Sequence, residues 1–144
     1  KLLALIKEKN MKYLLILLIL FSTQVYSRSP EGKGIICAYG KNKDVYEAYL
    51  FFNKKYISKF LFLEKNKFTI RQNEKRNYSM TNNYINLLPF KIHKKKLQII
   101  DTEFNRIIGS CEIFKSHHKA MEFMHKLKNM YQNKIDKNLG IIKI

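Results

Sequence analysis

Between Lys33 and Phe114 one local pattern repeats. A short run of aromatic and β-branched residues is followed by an Asn/Lys-rich break, about every eight to twelve residues. The runs are Lys33–Tyr39 (KGIICAY, set among Gly32, Gly34 and Gly40), Tyr46–Phe52 (YEAYLFF), Tyr56–Leu63 (YISKFLFL), Phe68–Gln72 (FTIRQ), Tyr84–Leu88, Leu97–Thr102 (LQIIDT) and Ile107–Phe114 (IIGSCEIF). Tyr46, Ala48, Leu50 and Phe52 alternate onto one face, and Phe60 and Phe62 share a face of theirs. Both faces of Tyr46–Leu63 are partly apolar, as in strands covered on two sides. Residues 73–83 read as a polar loop, Pro89 confines its strand to an edge or an end, and Phe90 and Ile92 precede a polar break at His93–Lys96. Short connections imply sequential order. The expected fold is mainly β: an antiparallel meander of seven or eight short strands, closing as a small barrel or sandwich, with one C-terminal amphipathic helix.

That helix is expected over residues 116–135. Ala120, Phe123, Met124, Leu127, Met130 and Tyr131 recur at helical spacing, and Ser116 suits the N-cap. Phe123, Leu127 and Met130 are expected to dock it across an open face or barrel mouth. The tail, 136–144, reads as a frayed end or one more strand.

Upstream, Met11-Lys12 opens a short basic region, Tyr13–Phe21 is continuously apolar, and the polar stretch to Ser27 ends in Val-x-Ser. This is the pattern of a signal peptide over 11–27. Cleavage after Ser27 would leave Arg28 first and no stable transmembrane anchor. The alternative is an uncleaved single span, for which the apolar run is short. Residues 1–10 read as an over-extended start outside the fold, and the β domain is expected over 28–115.

Charge bears on function. The chain carries 28 Lys+Arg against 11 Asp+Glu, a formal +17. Residues 28–144 keep +14 of this, so the basicity belongs to the exported part. Lys, Asn, Ile, Phe and Tyr make up 74 of 144 residues and Ala only four, a bias that A/T-rich coding produces without selection for anions. Lys54, Lys55, Lys94, Lys95 and Lys96 are the candidate polyanion contacts. Nearby aromatics at Tyr56, Phe68, Tyr78 and Phe90 could stack bases. The simpler reading makes them core, and export argues against nucleic acid.

Catalytic patterns are missing. GxSxG, GxxxxGK[ST], GxGxxG, CxxC and HExxH do not occur, and no carboxylate pair stands out. His118, Glu122 and His125 fall on one helical arc and form a weak metal candidate. That arc faces away from the apolar stripe, and a catalytic metal needs a dry second shell. His117 and His118 read as surface. The expectation is no enzyme and no cofactor.

Cys37 and Cys111 are the two cysteines. In an exported protein such a pair is normally bridged. They lie in the first and last expected strands, which must then meet by sheet closure or across a sandwich. Strict alternation puts Cys37 with Ile35 and Tyr39, and Cys111 with Ile107 and Ile113.

The leader followed by Gly32–Cys37, the hairpin from Tyr49–Phe52 into Tyr56–Phe62, Lys95-Lys96-Leu97 before a strand, and Ser110-Cys111-Glu112 together resemble the small exported one-disulfide β proteins of streamlined, AT-rich marine alphaproteobacteria (Pelagibacter-like). The resemblance covers about residues 11–114. It departs at the aromatic Trp-type position, since the chain has no Trp, and does not extend to the helix. It implies compartment and fold, and no activity. The functional expectation is a periplasmic or secreted, non-enzymatic module that binds a partner or a small apolar ligand. The alternative is electrostatic binding of envelope polyanions, lipopolysaccharide or nucleic acid, through the basic surface.

Overall fold

The structure, a computed structural model, describes residues Ser29–Gly140. The expectations for residues 1–10, for the signal peptide 11–27 and for 141–144 lie outside the described residues.

Ten strands form one antiparallel sheet: β1 (Gly34–Tyr39), β2 (Val45–Phe52), β3 (Lys55–Glu64), β4 (Lys67–Gln72), β5 (Arg76–Asn77), β6 (Ser79–Met80), β7 (Tyr84–Asn86), β8 (Phe90–His93), β9 (Gln98–Asp101) and β10 (Arg106–Phe114). The helix α1 (His117–Asn138) follows. The strand count exceeds seven or eight partly because β5 and β6 lie inside the expected polar loop. They pair through the backbone, and no apolar alternation marks them. The hairpins around Asn53-Lys54 and Lys65-Asn66 have positive φ at both central residues. Such primed turns match the twist of the flanking strands.

Strand order is β4-β3-β2-β1-β10-β9-β8-β7-β6, with β5 also on β3. The first strand thus lies mid-sheet, between β2 and β10. Its register with β10 places Cys37 opposite Cys111, and the two form a disulfide. Both the bridge and the meeting of the first and last strands were expected. The cysteine strands are hydrogen-bonded neighbours in one sheet, so the first and last strands meet by direct pairing and not across a sandwich. The sheet is nevertheless an open, curled half-barrel, because β4 and β6 at its ends do not pair with each other, which corrects the expectation of a closed barrel or sandwich.

Curling follows from a single contact. β3 and β7 are six places apart, about 29 Å in a flat sheet at about 4.8 Å per strand. Yet Tyr56 Oη donates to the Leu87 carbonyl, just beyond β7, at 2.8 Å. The face carrying Tyr56 is therefore concave. Ile35, Cys37, Tyr49, Phe51, Ile85, Leu87, Ile92 and Ile99 are buried with it.

The convex face is covered by α1 where it carries Ile36, Ala48 and Leu50, which pack against Ala120, Met124 and Leu127. Burying Met124 and Leu127 is worth about 3–6 kcal/mol gross. Gly34 permits the approach: a Cβ there would lie 2.3 Å from the Ala120 Cβ. Ser116 caps the helix by accepting from the Lys119 amide. The docking stripe differs from expectation. Phe123 packs at the flank on Phe114, and Met130 is exposed, because the sheet lies on the Ala120–Met124–Leu127–Tyr131 side. The helix covers an outer face, with no barrel mouth beneath it. It also runs past 135 to Asn138, so the start of the expected tail is helical.

A bulge in β10 corrects another expectation. Register shifts between Ile107 and Gly109, so Ile108 packs on the inner core while Ile107 is 59 % exposed. Gly109 fits because a Cβ would meet the Ala38 carbonyl oxygen at 2.2 Å.

Candidate ligand-binding site

At the end of the half-barrel where β1 begins, the concave face opens into a cavity of about 320 Å³. Its apolar wall comes from Ile35 of β1, Ile113 of β10, Ile85 of β7 and Leu97 of the β8–β9 turn. Ile35 and Ile113 are register partners, two residues outward from the bridged cysteines. Ile113 is 47 % exposed although it points to the concave side, because this end of the core is unfilled. The polar wall comes from Lys33, Lys94, Lys95, His93, Asn82 and Asn83. It carries three lysines and no Asp or Glu. Both ion pairs among the described residues, Arg71–Glu64 and Lys119–Glu122, lie elsewhere.

The turn carrying Lys94 and Lys95 is held on several sides. The Lys94 amide donates to the Asn83 carbonyl, the Leu97 amide to the His93 carbonyl, and the Cys111 amide to the Leu97 carbonyl. His93 Nδ1 accepts from the Lys95 and Lys96 amides, both at 3.2 Å. That acceptor role places the ring proton of neutral His93 on Nε2. The lysines therefore stand on a braced backbone, tied to the β6–β7 loop and to the strand bearing Cys111.

A second polar group sits on the concave face away from this cavity. Tyr49 Oη donates to Glu47 Oε2 at 3.0 Å, and the Tyr39 and Tyr49 hydroxyls share a short hydrogen bond. Asn73 Nδ2 donates to Ser58 Oγ at 2.8 Å beside them. Burial pushes both tyrosine hydroxyls well above the usual tyrosine value, and the Glu47 charge adds to this. Both therefore stay protonated at neutral pH and act as donors.

The residues singled out from sequence are distributed as follows. Lys94 and Lys95 join Lys33 at the cavity. Lys54 and Lys55, in the β2–β3 hairpin, and Lys96 are exposed and do not line it. Tyr56 is buried, and Phe68, Tyr78 and Phe90 are half-buried in the protein's own packing. His118, Glu122 and His125 are exposed on α1. Lys119 Nζ binds Glu122 Oε2 at 2.9 Å and holds that carboxyl below its ordinary value. Among the described residues no group of three or more His, Cys, Asp or Glu is placed to hold a metal. His117 departs from the surface reading: its Nε2 is 2.8 Å from the Phe51 carbonyl, and its ring packs edge-on to Phe52.

Sequence reasoning missed Lys33, His93 and Ile113 as cavity residues. One signal was available. Once Cys37 and Cys111 are taken as directly opposed, antiparallel register pairs Ile35 with Ile113. Nothing comparable marks the Tyr39–Glu47–Tyr49 group, where Glu47 reads as an isolated acid in an aromatic strand. Comparisons with protein-family models, curated proteins and solved structures each found no match.

Proposed function

We propose that this protein is a non-enzymatic binding module that takes a small apolar ligand into the open end of its half-barrel. The observation that carries this reading is the 320 Å³ cavity, walled by the buried Ile35 and Ile85 and by Leu97 and Ile113, which the protein's own core leaves partly uncovered. Its size falls at the lower end of small-molecule sites, which run from about 300 to 1,000 Å³. An apolar cavity of about 150 Å³ holds a benzene ring, so this one suits about a dozen non-hydrogen atoms. The partly buried Tyr39–Glu47–Tyr49 group fits a structural role, since its members satisfy one another. Export to an oxidising compartment fits the disulfide. No helix among the described residues is long and apolar enough to cross a membrane. Kinship with the exported one-disulfide β proteins rests on the short motifs quoted above.

The test is saturable binding of a neutral naphthylamine fluorophore to the full chain. Fluorescence should rise to a one-to-one endpoint, and Ile113→Trp, which fills the cavity from a partly exposed position, should abolish the rise while leaving the circular dichroism unchanged. No saturable rise with the wild type would defeat the reading. A second reading, capture of an envelope polyanion, is favoured by Lys54 and Lys94–Lys96 lying at the same end of the strands. Salt-insensitive retention on immobilised lipopolysaccharide would exclude it.

A further inference from the structure

We infer that the ligand is a single-chain amphiphile whose oxyanion head, carboxylate or phosphate, is held by Lys33, Lys94 and Lys95. The inference rests on the cavity reading and names its ligand class. Three observations carry it. The cavity divides into an apolar wall and a polar one, so an occupant with one chemistry throughout would leave a wall mismatched. The polar wall holds three cations and no acid, and none of these ammonium groups has an ion-pair partner among the described residues. Lys33 and Lys94 are moreover half-buried, where an unpaired cation is less well solvated than on open surface.

Placement selects the head chemistry. The amides of Lys94, Lys95 and Lys96 are all taken within the protein, by Asn83 and by His93 Nδ1. The head is therefore met by side chains, not by a backbone nest. Lysine ammonium groups act as point charges and suit a compact oxyanion of either type. An apolar chain of about ten carbons with such a head matches the dozen atoms the cavity accommodates.

Decanoate, 1-decanol, decyl phosphate and inorganic phosphate separate the possibilities by competition against the neutral fluorophore on the full chain. Decanoate or decyl phosphate should displace it at a concentration at least about tenfold below that of 1-decanol, the gap expected for charge-assisted contacts. Whichever acid is stronger identifies the head. Added salt should erode the acids' advantage and leave the alcohol unchanged. Lys33→Gln/Lys94→Gln/Lys95→Gln should bring acid and alcohol within about twofold, whereas Lys41→Gln/Lys43→Gln, at the opposite end of the strands, should not. Equal displacement by acid and alcohol in the wild type overturns the inference and leaves the cavity reading intact. Retention of the acid advantage in the triple variant overturns it too, as does displacement by inorganic phosphate alone at the acids' concentration. Absence of fluorophore binding defeats the underlying reading instead.

Discussion

Single atoms decide several features of this molecule. At Gly34 a methyl group would sit 2.3 Å from that of Ala120, so the helix must lift or tilt to admit it. Gly34→Ala should lower stability by about 1–3 kcal/mol by overpacking. Adding Ala120→Gly should restore much of the loss, as urea titrations of both variants would reveal. The glycine is visible in the sequence, but its purpose is not, since the contact spans a strand and a helix far apart in the chain. The tyrosine group makes a second prediction at this scale. Tyr39 and Tyr49 have hydroxyls raised by burial, so the folded state keeps protons that the unfolded chain releases above its ordinary value of about 10. Their contribution is therefore fully present below pH about 10 and is lost as pH rises beyond it. Stability should fall by up to about 1.4 kcal/mol per pH unit for each group. Tyr39→Phe should flatten that alkaline limb in urea midpoints measured across pH, and an unchanged limb would remove Tyr39 from the account.

At the level of elements, the helix shows what periodicity can and cannot deliver. Its spacing announces an amphipathic helix, and Leu127 does face the sheet. The stripe was nonetheless displaced by about one position. Phe123 and Met130 are larger and more apolar than Ala120, yet the sheet surface beneath is close enough to admit only the small residue at the nearest approach. Leu127→Asp should unfold or aggregate the protein, whereas His125→Ala should leave its melting temperature nearly unchanged; equal melting temperatures would refute the face assignment. The strands carry a similar lesson. Long runs with aromatic alternation, β1 to β4, were legible, while β5 and β6 were not, because a two-residue pairing needs no side-chain pattern. The edge of β4 depends on one helical side chain: Gln132 accepts from the Phe68 amide at 2.7 Å and donates to the Asn66 carbonyl at 2.9 Å. Gln132→Ala should cost about 1 kcal/mol and bare a strand edge. The checks are a urea midpoint and concentration-dependent light scattering.

For the whole molecule the disulfide is the main constraint across sequence distance. It links positions 74 apart, and chain entropy puts its contribution at about 4–5 kcal/mol as an upper figure. Denatured, unreduced protein should yield no reactive thiol, and Cys37→Ser/Cys111→Ser should melt well below the wild type. Two titratable thiols would contradict the bridge. The pairing of cysteines could be anticipated from their number and the expected leader, but the openness of the sheet around them could not. Short connections and a last strand that pairs with the first are shared by a closed ring and by this open sheet, and the two differ only in whether the strands at β4 and β6 also pair, which no side-chain pattern reports. The cavity was equally hidden, since it is a place where four elements fail to fill space.

The central position of β1 also sets a timetable. A chain emerging from its N-terminus presents β1 early, and β2 can occupy one of its edges almost at once. The other edge must wait for β10, whose Cys111 trails Cys37 by 74 residues. At about 5–20 residues per second that is about 4–15 s of delivery. Throughout that interval the middle of the future sheet is itself a bare edge with an unbridged thiol.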